Sequence, residues 1–187
     1  MLIFLRENKN KGFTIAELLI TMAIVAILAG IMLVNVRGGE KDNLLKRGAN
    51  TMGQYLRKAS DLTTSFQEND CSIGTLVGYG IRLNISNPNI QVLNLFADCG
   101  KPVEQIIETL DLGKGISVSS LAVSDNGINW IAKNTVVIFF TPPDPIISIQ
   151  DSVGAESNQA KIILKVTETP TKTREIIFNK FGLIEIQ

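Results

Sequence analysis

The 187-residue sequence contains no histidine at all and only two cysteines. Histidine is the commonest general base near neutral pH and a frequent zinc ligand, so Ser-His-Asp and Cys-His nucleophile arrangements are excluded. Two thiols cannot form a four-thiolate zinc site. Carboxylate, lysine or serine-lysine catalysis remains open. We expect a protein that is not an enzyme, with no catalytic residues, no metal site and no cofactor.

Charge is also scarce, since charged residues make up 19% of the chain and hydrophobic residues 45%. The 18 basic and 18 acidic residues give a formal net charge of zero. A nucleic-acid-binding protein usually has a basic excess gathered on one face. We therefore expect no nucleic-acid partner.

The two cysteines, Cys71 and Cys99, form an even set in a chain that we expect to be exported. A disulfide between them would close a loop of about 28 residues and contribute about 3 kcal/mol by restricting the unfolded chain. The alternative is two unpaired, half-buried thiols. Sequence alone leaves both readings open.

The N-terminus combines a short basic leader with a long apolar run. Residues 1–12 carry three basic side chains against one acid, and Phe13–Val36 contains a single charge, Glu17. About 24 residues of helix extend ~36 Å, enough to cross a hydrocarbon core of ~30 Å. By the positive-inside rule the leader stays in the cytoplasm and the chain after Val36 is exported. We expect a single pass through the inner (cytoplasmic) membrane, with the head in the periplasm or at the cell surface.

A conventional secretory signal places small residues after its apolar stretch, but here Gly12 precedes it. The run Lys11–Ile20, KGFTIAELLI, resembles the processing and methylation signature of type IV pilins and type II secretion pseudopilins. The resemblance implies cleavage after Gly12 by prepilin peptidase, N-methylation of Phe13, and Glu17 as the assembly glutamate. It also implies other pilin subunits, an inner-membrane assembly platform and membrane lipid as partners.

Glu17 also has a physical role that does not depend on the resemblance. A carboxylate within a membrane helix is costly unless it has a partner. Cleavage after Gly12 would create a cationic amine at Phe13, about one helical turn away, in the same chain or a neighbouring one. A pair between subunits would fix their axial stagger. The alternative is a glutamate that reaches the membrane interface and has no role in assembly.

After the apolar run, residues 37–63 show the pattern of an amphipathic helix that ends near Leu62. Apolar residues recur at alternating spacings of four and three, which is typical of one helix face. They are Leu45, Ala49, Met52, Leu56 and Ala59. We expect this stripe to pack against a globular head, and Gly48 and Gly53 to weaken the helix by up to ~1 kcal/mol each.

Residues 64–187 are predicted to form a β-rich globular head, in which the pattern changes from Ile73 onward to short strands separated by turns, with seven to nine strands in total. The predicted strands begin near Tyr79 and continue through Ile90–Ala97, Ile106–Leu110, Ile116–Val123, Thr135–Thr141, Ile146–Gln150, Lys161–Thr167, Arg174–Asn179 and Leu183–Ile186. The predicted fold class is α+β, with a long N-terminal transmembrane and stalk helix packed against an antiparallel two-sheet β-sandwich-like head.

The head also resembles that of H-type (FimT-like) minor pseudopilins. Three short stretches carry this resemblance: Gly78–Ile81, Phe96–Asp98 and Val137–Pro143. It implies a two-sheet sandwich packed on the helix, which is the pilin fold.

Three other features of the sequence, a glycine-rich stretch, a set of acids and the single tryptophan, could each mark a binding site. Gly74, Gly78 and Gly80 are followed by strand instead of helix, so we interpret them as close-packing positions and not as a phosphate loop. Three acids (Asp144, Asp151 and Glu156) could supply calcium ligands, but their spacing is unlike an EF-hand. Trp130 is predicted to lie in the sandwich core.

Three functional hypotheses follow. The first is a minor pilin or pseudopilin in a type II secretion or type IV pilus-like filament. The second is a major type IV pilin of an adhesion, motility or DNA-uptake fibre. The third is a signal-anchored exported enzyme or binding module whose leader resembles pilins by accident. The sequence does not choose between a secretion system and a pilus.

Overall fold

The computed structural model describes residues 13–65, 71, 74–87, 90–100, 104–167 and 171–187. Of residues 32–38, 87 and 90 only the backbone is described. The chain divides into two compact units, Met1–Glu40 and Lys41–Gln187. Gly12 and the rest of the predicted leader lie outside the described residues.

One helix, α1 (Ile15–Ser65), runs through the boundary between the two units. It begins two residues after the predicted start of the apolar run and ends three residues beyond Leu62. No helix in the described part of the chain has both the length and the apolarity of a membrane span. The predicted span includes residues 32–36, whose side chains are outside the described set, so the span stays a prediction.

In the second unit, the predicted apolar stripe of α1 is confirmed. Its five members are each at most 2% exposed: Leu45, Ala49, Met52, Leu56 and Ala59. They share one core with side chains from both sheets. Two polar contacts add to this packing, because Lys58 pairs with Glu108 and Arg174 lies 3.2 Å from Asp42. The helix face is apolar because it forms one wall of this core.

The described residues of the head form eleven strands: β1 (Gly78–Asn87), β2 (Ile90–Asp98), β3 (Glu104–Thr109), β4 (Ile116–Ser124), β5 (Ile131–Lys133), β6 (Thr135–Thr141), β7 (Ile146–Asp151), β8 (Glu156–Ser157), β9 (Gln159–Val166), β10 (Thr173–Asn179) and β11 (Ile184–Ile186). All pairings are antiparallel. One sheet has the order β3-β2-β1-β6-β7-β8 and the other β11-β10-β9-β4-β5. The predicted class, α+β with two antiparallel sheets, is confirmed.

Alternation of side chains along the strands explains why the sheets share a core. In β6, Val136, Ile138 and Phe140 are almost fully buried, and the residues between them are half-buried. In β9, Ala160, Ile162, Leu164 and Val166 point to the same core. A period of two places one face of each sheet against the other elements and leaves the opposite face partly in water.

Two strands were not predicted, so the expected seven to nine falls short of the eleven described. The missed strands, β5 and β8, contain three and two residues, too few to show a period. The segment around Ile106, predicted as a strand although its pattern also suits a short helix, is the strand β3.

The core prediction for Trp130 is wrong. Trp130 is half-buried, immediately before β5, and its ring is contacted by Lys161 on the outer face of the five-stranded sheet. Hydrophobicity alone cannot say on which face of a sheet an aromatic residue lies, because Trp has a large apolar body and a polar tip.

The close-packing interpretation of Gly78 and Gly80 is confirmed. A Cβ at Gly78 would lie 2.3 Å from the carbonyl oxygen of Phe140, and one at Gly80 would lie 2.5 Å from the ring of Phe96. Phe96 and Phe139 stack across this strand with ring centroids 6.2 Å apart. The glycines therefore make room for two aromatic rings on the outer face of the six-stranded sheet.

Candidate assembly site at the start of the helix

Helix α1 begins with a reciprocal set of hydrogen bonds between Thr14 and Glu17. The Glu17 backbone N–H donates to Thr14 Oγ1 at 3.2 Å, and the Thr14 backbone N–H donates to Glu17 Oε2 at 3.0 Å. The Thr14 hydroxyl donates to the same carboxylate oxygen at 3.0 Å. This is a capping box, in which a threonine cap and a glutamate three residues later satisfy each other's backbone donors. The first helical bond follows, from Leu18 N–H to the Thr14 carbonyl at 3.2 Å.

The capping box determines where the Glu17 carboxylate lies. Oε2 accepts both hydrogen bonds that Thr14 donates, which holds the carboxyl group beside the first turn of the helix. Phe13, the predicted methylated residue, directly precedes this turn, and its side chain is 84% exposed. The predicted partner of Glu17, a cationic amine at Phe13, would exist only after cleavage. The pairing therefore stays a prediction.

The helix in the first unit presents an almost unbroken apolar surface. Every described side chain from residue 13 to 31 is exposed. The large apolar ones are Phe13, Ile15, Leu18, Leu19, Ile20, Met22, Ile24, Val25, Ile27, Leu28 and Ile31. A soluble monomer rarely exposes so large a continuous apolar patch, so the surface requires a cover such as lipid or other helices. The space around Gly30 is open, because a Cβ at this position would have nothing within 4 Å.

Sequence reasoning did not identify Thr14 as a functional partner of Glu17. The signal was present, because Thr-x-x-Glu directly before an apolar run is the sequence pattern of a capping box. Its presence gives Glu17 a local structural role in addition to any role between subunits.

A second predicted pair lies in the head, where the structure joins Cys71 and Cys99 by a disulfide with a sequence separation of 28. Cys99 is 2% exposed and belongs to a small cluster with Leu76, Tyr79 and Ala97. Gly74 lies against this bridge, with a φ of 102°, and a Cβ there would lie only 2.0 Å from the Cys99 carbonyl oxygen. The left-handed backbone and the close approach both require glycine there.

The acids considered for calcium have other surroundings. Asp144 and Glu156 are exposed, whereas Asp151 is buried. Asp151 accepts hydrogen bonds from Lys133 Nζ at 2.5 Å and from two backbone N–H groups of its own turn. These bonds, with that from Lys133 the strongest, lower the pKa of Asp151. Across the described residues no group of three or more Cys, Asp or Glu side chains is placed to hold a metal ion.

Comparison with known families matches the N-terminal segment of the chain. Residues 8–33 match the prokaryotic N-terminal methylation motif. No curated protein and no solved structure matches the chain. The matched segment includes Gly12, Phe13, Thr14 and Glu17, and thus the whole capping box.

The chain therefore carries the N-terminal signature of type IV pilins and pseudopilins. The motif supports a pilin-like or pseudopilin-like protein that is processed by prepilin peptidase and assembled with other pilin subunits. It likewise supports a membrane-anchored chain that is exported into a filament. The resemblance of the head to H-type minor pseudopilins is not confirmed.

Proposed function

We propose that this chain is a minor pilin or pseudopilin, a structural and not a catalytic subunit of a type II secretion or type IV pilus-like filament. The observation that carries the proposal is the methylation motif over residues 8–33, with Glu17 held in a capping box at the start of an exposed apolar helix. The resemblance of the head to H-type minor pseudopilins favours a minor over a major subunit.

In this proposal, the apolar surface of residues 13–31 is buried in two different environments, one before and one after assembly. Before assembly, lipid covers it, with Phe13–Val36 as a single span of the inner membrane and the basic leader in the cytoplasm. After assembly, the equivalent helices of other subunits cover it. Small residues favour close helix contact, and Ala16, Ala23, Ala26 and Gly30 recur along this segment.

Processing and assembly are linked through the new N-terminus. Prepilin peptidase would cleave after Gly12 and methylate the amine of Phe13, which stays cationic. Thr14 engages one oxygen of Glu17, Oε2, so Oε1 remains to receive the amine of an incoming subunit. An ion pair in a low-dielectric surrounding is much stronger than in water, and its geometry would set the stagger of adjacent helices.

The head would then contact other heads in the filament and, in a secretion system, exported cargo. The assembly platform in the inner membrane would extract the subunit from lipid. An enzyme or binding module with a pilin-like leader would behave differently, because its head alone would be active and a change at Glu17 would leave that activity intact.

Mass spectrometry of the mature chain tests the proposal directly. We expect the chain to begin at Phe13 with one N-terminal methyl group. A mature protein that still begins at Met1 in cells with an active prepilin peptidase contradicts it. The copy number in purified filaments then separates a minor subunit from a major pilin, because a major pilin would be the most abundant protein in the fibre.

A further inference from the structure

A groove of about 480 Å³ lies on the outer face of the five-stranded sheet, away from the core. Its floor comes from β9, β10 and β11, and one wall comes from the loop before β5. The residues that matter for its chemistry are Trp130, Gln159, Lys161, Glu175, Asn179 and Glu185. The volume is within the range of small-molecule sites, about 300–1,000 Å³.

The wall that carries Trp130 is held by several side-chain hydrogen bonds. Asn126 Oδ1 accepts from the backbone N–H groups of Ile128 and Asn129, both at 2.9 Å. The side chain of Asn158 donates to the Asp125 carbonyl at 2.9 Å, which fixes the loop to the β8–β9 connection. Because these hydrogen bonds hold the loop at two points, Trp130 has a defined position before any ligand binds. Such preorganisation reduces the entropic cost of binding.

The orientation of Trp130 is fixed by Lys161, whose ammonium group lies over one face of the indole and pairs with Glu175. Lys161 Nζ lies 4.4 Å from the centroid of the indole ring and 3.2 Å from Glu175 Oε2. The ammonium group is thus shared between a π face and a carboxylate. Trp130 is half-buried and lines the groove, so the part of the indole that Lys161 does not cover is left for a bound molecule.

The rest of the lining is made of planar polar groups. Gln159, Asn179 and Glu185 each carry a planar amide or carboxylate group. Asn179 Oδ1 already accepts hydrogen bonds from the backbone N–H groups of Phe181 and Leu183, both at 3.0 Å, which leaves its Nδ2 for a ligand, and the Gln187 amide donates to Glu185 Oε1 at 2.8 Å. Amides supply both donors and acceptors, and carboxylates supply acceptors only. A ligand with many hydroxyl groups, each both donor and acceptor, would satisfy such a surface.

Other ligand classes fit this lining less well. Two carboxylates and one lysine leave the groove slightly acidic, which disfavours an anion. A purely apolar molecule would leave the polar floor without hydrogen-bond partners. A cation would be repelled by the Lys161 ammonium group, which already lies over one face of the indole. A neutral sugar has an apolar C–H face for the indole and an edge of hydroxyl groups for the amides.

We propose that this groove binds a neutral oligosaccharide, with Trp130 as the stacking platform and Glu175, Asn179 and Glu185 as hydrogen-bonding partners. The site is separate from the assembly site, so it can be tested whether or not Gly12 is cleaved. A filament subunit with such a groove would attach its fibre, or its secretion channel, to a glycan.

The test uses the full-length chain in a detergent without sugar groups, so that the detergent itself cannot fill the groove. Trp130 is the only tryptophan in the sequence, so its fluorescence reports this site alone. Three neutral hexasaccharides serve as probes, of β-1,4-glucose, β-1,4-N-acetylglucosamine and α-1,4-glucose. We expect a saturable change in Trp130 emission with at least one of them, and the same affinity by calorimetry.

Variants then assign the binding to the groove. By calorimetry, Trp130→Ala should abolish binding, Trp130→Phe should retain it within a few fold, and Glu185→Ala should weaken it about tenfold. Lys165→Ala, on the same strand as Lys161 but outside the groove, serves as the matched control and should bind like the parent. Circular dichroism of each variant shows whether the head is folded.

Three outcomes overturn the proposal. The first is the absence of any saturable response to all three hexasaccharides by a folded chain. Oligolysine and oligoglutamate peptides are titrated in parallel, and the second outcome is a response confined to them, which would assign the groove to a charged polypeptide partner. Binding that persists at full strength in Trp130→Ala also counts against it, because the sugar would then lie elsewhere.

Discussion

Glu17 takes part in two interactions that substitutions can separate, a local helix cap and the proposed pair with an N-terminal amine. Glutamine can accept the same hydrogen bonds from Thr14 but carries no charge. We therefore expect Glu17→Gln to be cleaved normally and yet to form few or no filaments, because the ion pair is lost while the cap is kept. Filaments sheared from cells and collected by ultracentrifugation measure the yield.

Thr14 provides the matched control for that experiment. Thr14→Ser keeps a hydroxyl cap and should assemble like the parent. Thr14→Ala keeps the charge of Glu17 but removes the cap, at a cost of about 1 kcal/mol to the helix start, so filament yield should fall only in part. Normal yield from Glu17→Gln would show that the carboxylate acts only as a cap, and the proposed mechanism of assembly would have to be abandoned.

Asp151 should make the stability of the head depend on pH in acid. Its pKa lies below the ordinary value of 3.8, chiefly because Lys133 donates a hydrogen bond to it. A carboxyl group whose pKa is lower in the folded state stabilises the fold above the unfolded value. That stabilisation is lost as the pH falls from about 4 through the folded pKa. Asp151→Asn should thus lower the melting temperature at pH 7 and make it less sensitive to pH below 4.

An exposed carboxylate tests whether this effect is specific. Asp61 lies on the exposed side of α1. Asp61→Asn should therefore have a melting temperature at pH 7, and a decrease in melting temperature below pH 4, close to those of the parent. Thermal unfolding followed by near-ultraviolet circular dichroism from pH 2 to 7 gives both quantities. If the melting temperatures of the parent and of Asp151→Asn fall equally as the pH decreases below 4, the Lys133 pair does not contribute to the stability of the head.

At the scale of single elements, Gly48 and Gly53, the two glycines of α1 that lie in the second unit, should respond differently to alanine. A Cβ at Gly53 would have only Ile184 in van der Waals range, at 3.9 Å, whereas one at Gly48 would lie 2.7 Å from the Ile116 side chain. Alanine favours a helix over glycine by up to ~1 kcal/mol. We expect Gly53→Ala to stabilise the head by up to that amount, and Gly48→Ala to be less stable than Gly53→Ala by about 1 kcal/mol because Ile116 must move.

Urea unfolding of the full-length variants measures this difference. Gly39, which has nothing within 4 Å of a Cβ and lies in the first unit, provides a control, since Gly39→Ala should leave the unfolding of the head unchanged. Equal gains in stability from Gly48→Ala and Gly53→Ala would mean that the contact with β4 is not tight.

Helices and strands with a clear hydrophobic period could be predicted from the sequence. Elements that form only because another strand or loop pairs with them could not. The stripe from Leu45 to Ala59 and the run Thr135–Thr141 each show a clear period, and the structure has both as predicted. The strands β5 and β8 exist only because β4 and β7 pair with them. The position of Trp130 depends on a loop held by Asn126 and Asn158, which no local pattern reveals.

The same limit applies to the candidate site. The roles predicted for Gly12, Phe13 and Glu17 come from the resemblance of a short continuous segment to the pilin signature, and residues 8–33 match the N-terminal methylation motif. The cap formed by Thr14 could have been predicted from the same residues, because the spacing of a capping box is local. The groove on the outer sheet face was not predictable, because it joins residues from three strands and a loop.

At the scale of the whole head, the disulfide connects the segment that follows α1 to the end of β2. Cys71 lies six residues after the helix ends at Ser65, and Cys99 directly follows β2. The bridge therefore closes a loop that contains β1, a strand in the interior of the six-stranded sheet. Because β1 pairs with both β2 and β6, restricting this loop in the unfolded chain favours the sheet as a whole.

We expect loss of the bridge to lower the free energy of unfolding of the head by about 3 kcal/mol, as loop-closure entropy gives for a loop of this length. The double variant Cys71→Ser/Cys99→Ala avoids a free thiol and places the apolar residue at the buried position. Urea unfolding of this variant, with and without reductant, is compared with the oxidised and reduced parent. The reduced parent should unfold near the variant and the oxidised parent at higher urea, whereas coincident curves for all four would mean that the stability of the sheet comes from the core shared with α1 and owes nothing to the bridge.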